Sequence, residues 1–455
     1  MSTTDTIVAL SSPVGESALA IIRLSGSESE FEALTQSITQ RNKPLKKRHA
    51  TLCNYMSING LELDSGIFIY YPKGASFTGE SLLEIMPHGN PLIIQNIIED
   101  LLQRGVRLAE PGEFTKRAFL NGCMDLSQAE AVADIIHARS NFSLEVARKQ
   151  LAGSIGKKMS DLTDQLLDII AEIEAYIDFP EEDLPTQDAN SPVKRLELLT
   201  QELSNLIETH QYSALLNEGI KTLIVGAPNA GKSSLINTLV GSQRAIVSDI
   251  PGTTRDFITS FIMLDGFRVE IIDTAGIHAT SDQLEREGIE KTLEQAQSAD
   301  CFLLIIDASL PAPILPDEVA SLFNKDNTIV IENKIDLDHA SSHAGFLESI
   351  MHARVSIKEG IGLEGFKESW SQLIRKQVAM PKRSDAIVLN ARHTQAIKEA
   401  KNALVSAMQQ IDSQEFSELI CVNLRVAIDA FSAVVGRIDN EQMLDKLFAK
   451  FCIGK

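Results

Sequence analysis

The sequence predicts a multidomain chain of class α/β plus α. An N-terminal α+β domain leads into a discontinuous all-helical domain, from which a second α/β domain with a phosphate-binding loop is looped out. Three observations carry this. Gly226-Ala227-Pro228-Asn229-Ala230-Gly231-Lys232-Ser233-Ser234 reads G-x-x-x-x-G-K-S, between a strand-length apolar run at 220–225 and helix-period spacing at 234–239. Helical periodicity runs from residue 124 to about 209 and returns over 386–451, on either side of that loop. Before residue 120, strand and helix signals are mixed. The expected domains are 1–120 (α+β), 121–215 and 379–455 (the two helical halves) and 216–378 (the insert).

Composition narrows the classes. Hydrophobic residues make up 44% and charged residues 23% of the 455, which suits globular domains. A formal net charge of -20 argues against a bare nucleic-acid binder, so any RNA would need a basic partner or a local basic patch. The five cysteines, Cys53, Cys123, Cys301, Cys421 and Cys452, are odd in number and include no C-x-x-C pair. That disfavours a disulfide framework and a zinc site. With no signal-peptide pattern and no run of 18 apolar residues, the expectation is a cytoplasmic protein without a membrane span.

In chain order, strands are expected at 6–10, 18–24 and 66–71, the last closed by Pro72. A helix follows over 91–102, with Gly105 beyond its end. The basic cluster at 43–48 reads as a solvated loop rather than an RNA site. Helices are expected at 125–139, 144–151, 159–177 and 193–207, with the loop 179–185 interrupting them. Neither helical half can bury its apolar faces alone, so the two should form one domain.

Inside the insert, the glycines of the first loop let backbone N–H groups face a phosphate. Lys232 would reach the outer phosphates and Ser233 would hold Mg²⁺, while Asn229, Ala230, Gly231 and Ser234 complete the cradle. The loop Ser248-Asp249-Ile250-Pro251-Gly252-Thr253-Thr254-Arg255-Asp256 is the candidate switch, with Thr254 completing the Mg²⁺ shell. A strand at 268–272 ends in Asp273-Thr274-Ala275-Gly276, a D-x-x-G that sets a carboxylate behind the metal. Strands at 301–307 and 328–331 precede Asn333-Lys334-Ile335-Asp336, an N-K-x-D. Asp336 can accept from guanine N1–H and the 2-amino group. Adenine offers neither donor and would leave the carboxylate unpaired. Asn333 meets the other base edge, the Lys334 stem packs over the ring, and Ser356, Ile357 and Lys358 supply the last base-side loop. Four motifs in order define a GTP-binding, P-loop, Ras-like G domain.

Hydrolysis needs a group to orient water. Ile277 stands where Ras-like domains place glutamine, so another residue must do it. The Asn229 side-chain oxygen suits a monovalent cation that neutralises developing charge; ordinary turn chemistry accounts for it equally well.

These motifs, with Phe77-Thr78-Gly79-Glu80, Pro111-Gly112-Glu113-Phe114 and the terminal Cys452-Ile453-Gly454-Lys455, make the chain resemble the tRNA-modification GTPase MnmE (TrmE) family along essentially its whole length. The resemblance implies a potassium-stimulated GTPase that forms a homodimer through its G domains. It implies potassium ligands at Asn229, Ser248, Ile250 and Thr253, and a water-orienting glutamate at Glu285. It also implies a tetrahydrofolate-type one-carbon donor contacting Arg23, Glu80 and Lys455. Cys123 departs from the family, which usually has lysine there, and leaves that folate contact unassigned. The family pairs with an FAD-dependent MnmG-like subunit in a heterotetramer and installs a carboxymethylaminomethyl or aminomethyl group on the wobble uridine, position 34, of certain tRNAs. A ribosome-assembly GTPase would share the G domain but bring a basic RNA module. Intact Lys232, Asp273 and Asp336 argue against a non-catalytic GTP-switch scaffold whose GTPase is vestigial. The Cys452 tail follows helical sequence up to Phe451, which favours close docking over a prenylation signal or a disordered end.

Overall fold

A computed structural model describes residues 5–41, 43–178, 191–210, 212–213, 219–242, 259–273, 296, 299–315, 317–343, 345–377, 387–412, 418–436, 444, 447–449, 451 and 454. The chain forms two compact units. One comprises Met1–Ile136, Arg148–Leu203 and Gln395–Lys455; the other comprises His137–Ala147 and Ser204–Thr394.

The first unit opens with β1 (Ile7–Leu10), β2 (Ser17–Leu19), β3 (Ile22–Gly26), β4 (Thr51–Met56), β5 (Glu62–Tyr71), β6 (Ser81–Met86), β7 (His88–Gly89) and β8 (Arg107–Leu108). Six of these form a sheet in the order β4-β5-β6-β3-β1-β8, antiparallel except for the parallel β1–β8 pair. Burial alternates along the second half of β5, where Gly66, Phe68 and Tyr70 face inward. Ile22, Leu24, Phe68, Leu83 and Ile85 share one core with Phe31 and Ile38 of the helix Glu28–Thr39 and with Ile94, Ile97 and Leu101 of the helix Pro91–Gln103. Asn90 caps the latter helix by accepting from the Leu92 N–H at 2.9 Å. The single strand expected at 18–24 is instead two. β2 pairs with β7 in a separate ribbon, and the Ala20 N–H donates to Pro87 O at 3.0 Å before β3 joins the main sheet. The chain changes sheets there, which periodicity alone does not reveal.

The helical part of this unit includes Leu126–His137, Ser154–Asp178, Pro192–Glu208, Ala391–Asp412 and Glu418–Val435, some of which run past the unit's borders. Ser154–Asp178 packs along Glu418–Val435, with an Arg425–Glu174 ion pair at 2.8 Å, so sequence on either side of the insert shares a core. Leu126 and Ala129 cluster with Leu444, Phe448 and Phe451, which brings the end of the chain onto the start of the helical region.

The second unit is built on β9 (Ile220–Gly226), β10 (Thr259–Leu264), β11 (Phe267–Asp273), β12 (Cys301–Asp307), β13 (Thr328–Asn333) and β14 (Met351–Arg354). Their order is β10-β11-β9-β12-β13-β14, all parallel except the β10–β11 hairpin. β12 and β13 are buried nearly throughout, as a parallel sheet covered on both faces demands. The helices Lys232–Ser242 and Leu363–Gln377 contribute Leu235, Leu239, Phe366 and Trp370 to one core face.

Candidate functional site

The parallel strands of the second unit release their loops at one end of the sheet, where doubly wound α/β folds bind ligands. β9 delivers the chain to Gly226 and the helix begins at Lys232, so the phosphate-loop motif bridges strand and helix N-terminus. Lys232 is buried, and its Nζ donates to Gly226 O at 2.6 Å and Ala227 O at 2.9 Å. The loop's own carbonyls thus hold the ammonium within the loop. Asn229, Ser233 and Ser234 are exposed, Ala230 is buried, and Asn229 takes a left-handed φ of 64°.

Asn333, only 4% exposed, ties the base side to the phosphate side. Its amide donates to Ala230 O at 2.8 Å, and its carbonyl accepts from the Ile357 N–H at 3.1 Å. Gly231 lies against this amide so closely that an added Cβ would come within 2.3 Å of Asn333 Nδ2. Lys334 Nζ ion-pairs with Asp307 at 2.6 Å. Burial works against the Asp307 charge, but the bonds from Lys334 and Ser309 prevail and hold its carboxyl below the usual range. Asp336 is exposed, and the Ser356 hydroxyl beside it holds its carboxyl below the usual range too. Lys358 is exposed. The backbone of Asp273 ends β11 opposite Ile224 of β9, on the strand that leads into the phosphate loop.

The described members of the predicted set are therefore brought together: Asn229, Ala230, Gly231, Lys232, Ser233 and Ser234 by one loop, Asn333, Lys334, Asp336, Ser356, Ile357 and Lys358 by two more. Ser248, Asp249, Ile250, Pro251, Gly252, Thr253, Thr254, Thr274, Ala275, Gly276 and Glu285 lie outside the described residues, as do Cys452 and Lys455. A preformed, glycine-lined loop beside a buried lysine fits a nucleotide's phosphates, and exposed Ser233 fits a metal ligand at their edge.

A second constellation sits on the N-terminal sheet. Arg23 of β3 forks onto Glu84 of β6, with Nη2–Oε1 at 2.8 Å and Nε–Oε1 at 3.1 Å. Arg23 Nη1 also donates to Gly454 O at 3.4 Å, and Ser11 Oγ donates to the same oxygen at 2.9 Å. Ser25, two residues beyond Arg23 on β3 and hence on the same face, donates to Glu80 Oε2 at 2.7 Å. Arg117, 5% exposed at its side chain, donates to that same oxygen at 3.0 Å and to Glu113 Oε1 at 2.9 Å. Glu80 Oε1 has no bonding partner among the described residues. Arg23, Glu80 and the chain's penultimate residue thus meet on one face. Cys123 is exposed, its Sγ packed beside Gly79. A carboxylate oxygen left open beside an arginine fits a pterin-like donor pair and an anionic tail.

Motif reading passes over Asp307, Glu84 and Arg117. Arg117 carried a signal, lying four residues after Glu113 on the helix Glu113–Leu120. Asp307 and Glu84 read only as strand carboxylates.

Fold and loops together define a P-loop protein of the guanine-nucleotide-binding class, carrying an additional α+β domain and a helical domain. Residues 6–123 match the family model described as the GTP-binding protein TrmE N-terminus, and residues 126–452 match the MnmE helical domain. Curated relatives named tRNA modification GTPase MnmE align along the whole chain. That of Opitutus terrae is 44% identical over 455 residues, that of Aquifex aeolicus 39% over 451 and that of Coxiella burnetii 38% over 455, each covering 99% of both chains. The chain belongs to the MnmE family.

Proposed function

We propose that this chain is a potassium-dependent GTPase that acts, with an FAD-dependent MnmG-like subunit, on the wobble uridine of certain tRNAs. The observation that carries the nucleotide reading is the Asn333 clamp. It locks the phosphate loop to the base-side loop, while ionised Asp336 stands at the rim to accept guanine's two donors. Relatives sharing the full length of the chain carry the tRNA reading.

In this reading Lys232 and the loop amides hold the β- and γ-phosphates, and Ser233, Thr254 and the Asp273 carboxylate serve the Mg²⁺ side. Asn229, Ser248, Ile250 and Thr253 would hold potassium, which would supply the positive charge that an arginine finger gives other GTPases. Glu285 orients the attacking water in place of Ile277, a role that contributes on the order of 10²–10⁴ in rate. Hydrolysis drives a conformational change within a homodimer. Arg23, Glu80 and Lys455 hold a tetrahydrofolate-type carrier, which supplies the one-carbon unit when bound; Cys452 stands beside it in the tail. The product is a carboxymethylaminomethyl or aminomethyl uridine at position 34, made in the cytoplasm by a heterotetramer with the flavin subunit. Among the described residues no helix is long and apolar enough to cross a membrane.

One paired experiment tests the whole. GTP turnover is measured in potassium and in sodium for the unaltered chain and for Asn229→Ala, and tRNA nucleosides from cells lacking the chain are analysed by mass. The expected outcome is faster turnover in potassium, loss of that gain in Asn229→Ala with nucleotide binding kept, and missing wobble modifications. Equal rates in both salts would remove the potassium role; unchanged wobble uridines would remove the tRNA role.

A further inference from the structure

Between Glu32 and Glu62 the sequence contains no acidic residue, in a chain with 62 Asp and Glu against 42 Lys and Arg. That interval holds Arg41, Lys43, Lys46, Lys47 and Arg48. The structure does not leave them on a loose solvated loop. Leu45 is buried in the N-terminal core, Lys47 bridges to Tyr70 of β5, and the Arg48 N–H donates to Tyr70 O at 2.7 Å. The backbone is thus pinned at the middle and the C-terminal end of the basic run while Lys43, Lys46, Lys47 and Arg48 are all exposed. Lys73, also exposed, follows two residues after the end of β5. Among the described residues none of these cations pairs with a carboxylate. Arg23, Arg104, Arg107 and Arg117 of the same unit all do.

The strip continues to the Arg23 constellation. Tyr71, next to the Tyr70 that pins Arg48, donates its hydroxyl to Glu84 Oε2 at 3.3 Å, and Glu84 in turn holds Arg23. Burial and the Glu84 carboxylate push the Tyr71 phenol up, with the charges of Arg23 and Arg48 both acting against them.

We propose that Lys43, Lys46, Lys47, Arg48 and Lys73 form the surface on which the phosphates of the substrate RNA dock, bringing an unpaired base to the face that carries Arg23 and Glu80. This rests on the tRNA reading above. A polyanion approaching a chain of net charge -20 is repelled over most of its surface, so contact is confined to where the sign reverses. Lysines held as exposed, unneutralised point charges suit phosphate contacts, which position a nucleic acid without reading its sequence. A surface that only positions RNA suits an enzyme whose target base is delivered from a loop.

The test compares the full-length chain with its Lys43→Ala/Lys46→Ala/Lys47→Ala triple variant. The probe is an unmodified tRNA transcript carrying a wobble uridine, titrated at several salt concentrations. Losing three phosphate contacts should weaken binding by roughly 10–10² near ~0.15 M salt and flatten the log–log salt slope by about 2–3. GTP turnover should not change, and the Lys43→Arg/Lys46→Arg/Lys47→Arg variant should bind as the unaltered chain does. Wild-type affinity and slope in the alanine variant would overturn the proposal, as would an equal loss in the arginine variant. Unchanged tRNA binding with weakened binding of an oligo-γ-glutamyl tetrahydrofolate would assign the strip to the carrier's tail instead. If the unaltered chain neither binds the transcript nor supports wobble modification, the tRNA reading falls as well. If it does both and the alanine variant binds equally, only the docking surface falls.

Discussion

At the scale of the residue, Asn333 does the most with the fewest atoms. Its two bonds join the phosphate-loop motif to the loop at Ile357, and both are buried. Truncation leaves Ala230 O and Ile357 N–H without a partner in a dry setting, at a cost of about 1–3 kcal/mol for a buried polar group. Asn333→Ala should therefore weaken GDP and GTP alike and lower the stability of the G unit. Asn333→Asp keeps the acceptor for Ile357 but sets a carboxylate oxygen against Ala230 O, so its loss should be at least as large. Titration with a fluorescent guanine nucleotide measures both. An aspartate variant that binds as tightly as the unaltered chain would mean the Ala230 bond does not hold the loops together. Asp307 acts one step further back, holding Lys334 while the left-handed φ of 68° at Lys334 turns the loop.

At the scale of the element, the helix Pro91–Gln103 shows local signals and packing agreeing. Asn90 caps it, Pro91 occupies its first turn, and its buried Asp100 gathers Tyr55 Oη, the Ile58 N–H and Arg104 Nε. Asn90→Ala should cost about 1 kcal/mol and Asn90→Gly only a few tenths, since glycine is tolerated at the cap. Urea unfolding checks this: an alanine variant with the midpoint of the unaltered chain would mean the cap side chain contributes nothing. Elements of this kind were legible, because periodicity, cap and breaker coincide. So were β9, β11, β12 and β13, whose apolar runs end in motif residues. β10 was not singled out, although Asp265-Gly266, both with positive φ, is the turn chemistry of a two-residue hairpin and stood in plain view. The split of β2 from β3 was not legible, because it depends on Pro87 arriving from a distant part of the chain. The nucleotide loops were readable for a related reason: their chemistry is local. The Glu80–Arg117–Ser25 and Arg23–Glu84 contacts join residues dozens of positions apart, and only the sheet register and the packing of the helix Glu113–Leu120 bring them together.

At the scale of the whole molecule, the chain's two ends meet in the unit that lacks the nucleotide loops. Ser11 and Gly454 are 443 positions apart in sequence, yet the Ser11 hydroxyl and the Arg23 guanidinium both donate to the Gly454 carbonyl. Gly454 has φ of +90°, and a Cβ there would stand 2.4 Å from Leu10 O. Gly454→Val faces that backbone clash as well as a left-handed conformation that costs an L-residue roughly 1–2 kcal/mol. The two hydrogen bonds opposing it contribute only about 1 kcal/mol each. Strain plus clash should win, and residues beyond Phe451 should lift away while Phe448 and Phe451 stay packed against Leu126 and Ala129. The phosphate and base loops belong to the other compact unit. Gly454→Val should then abolish tRNA modification and leave GTP turnover as it was, as removal of residues 452–455 should also do. Both activities measured on one preparation decide it. Loss of both would make the tail a folding element, and retention of both would show that the Arg23 face works without it.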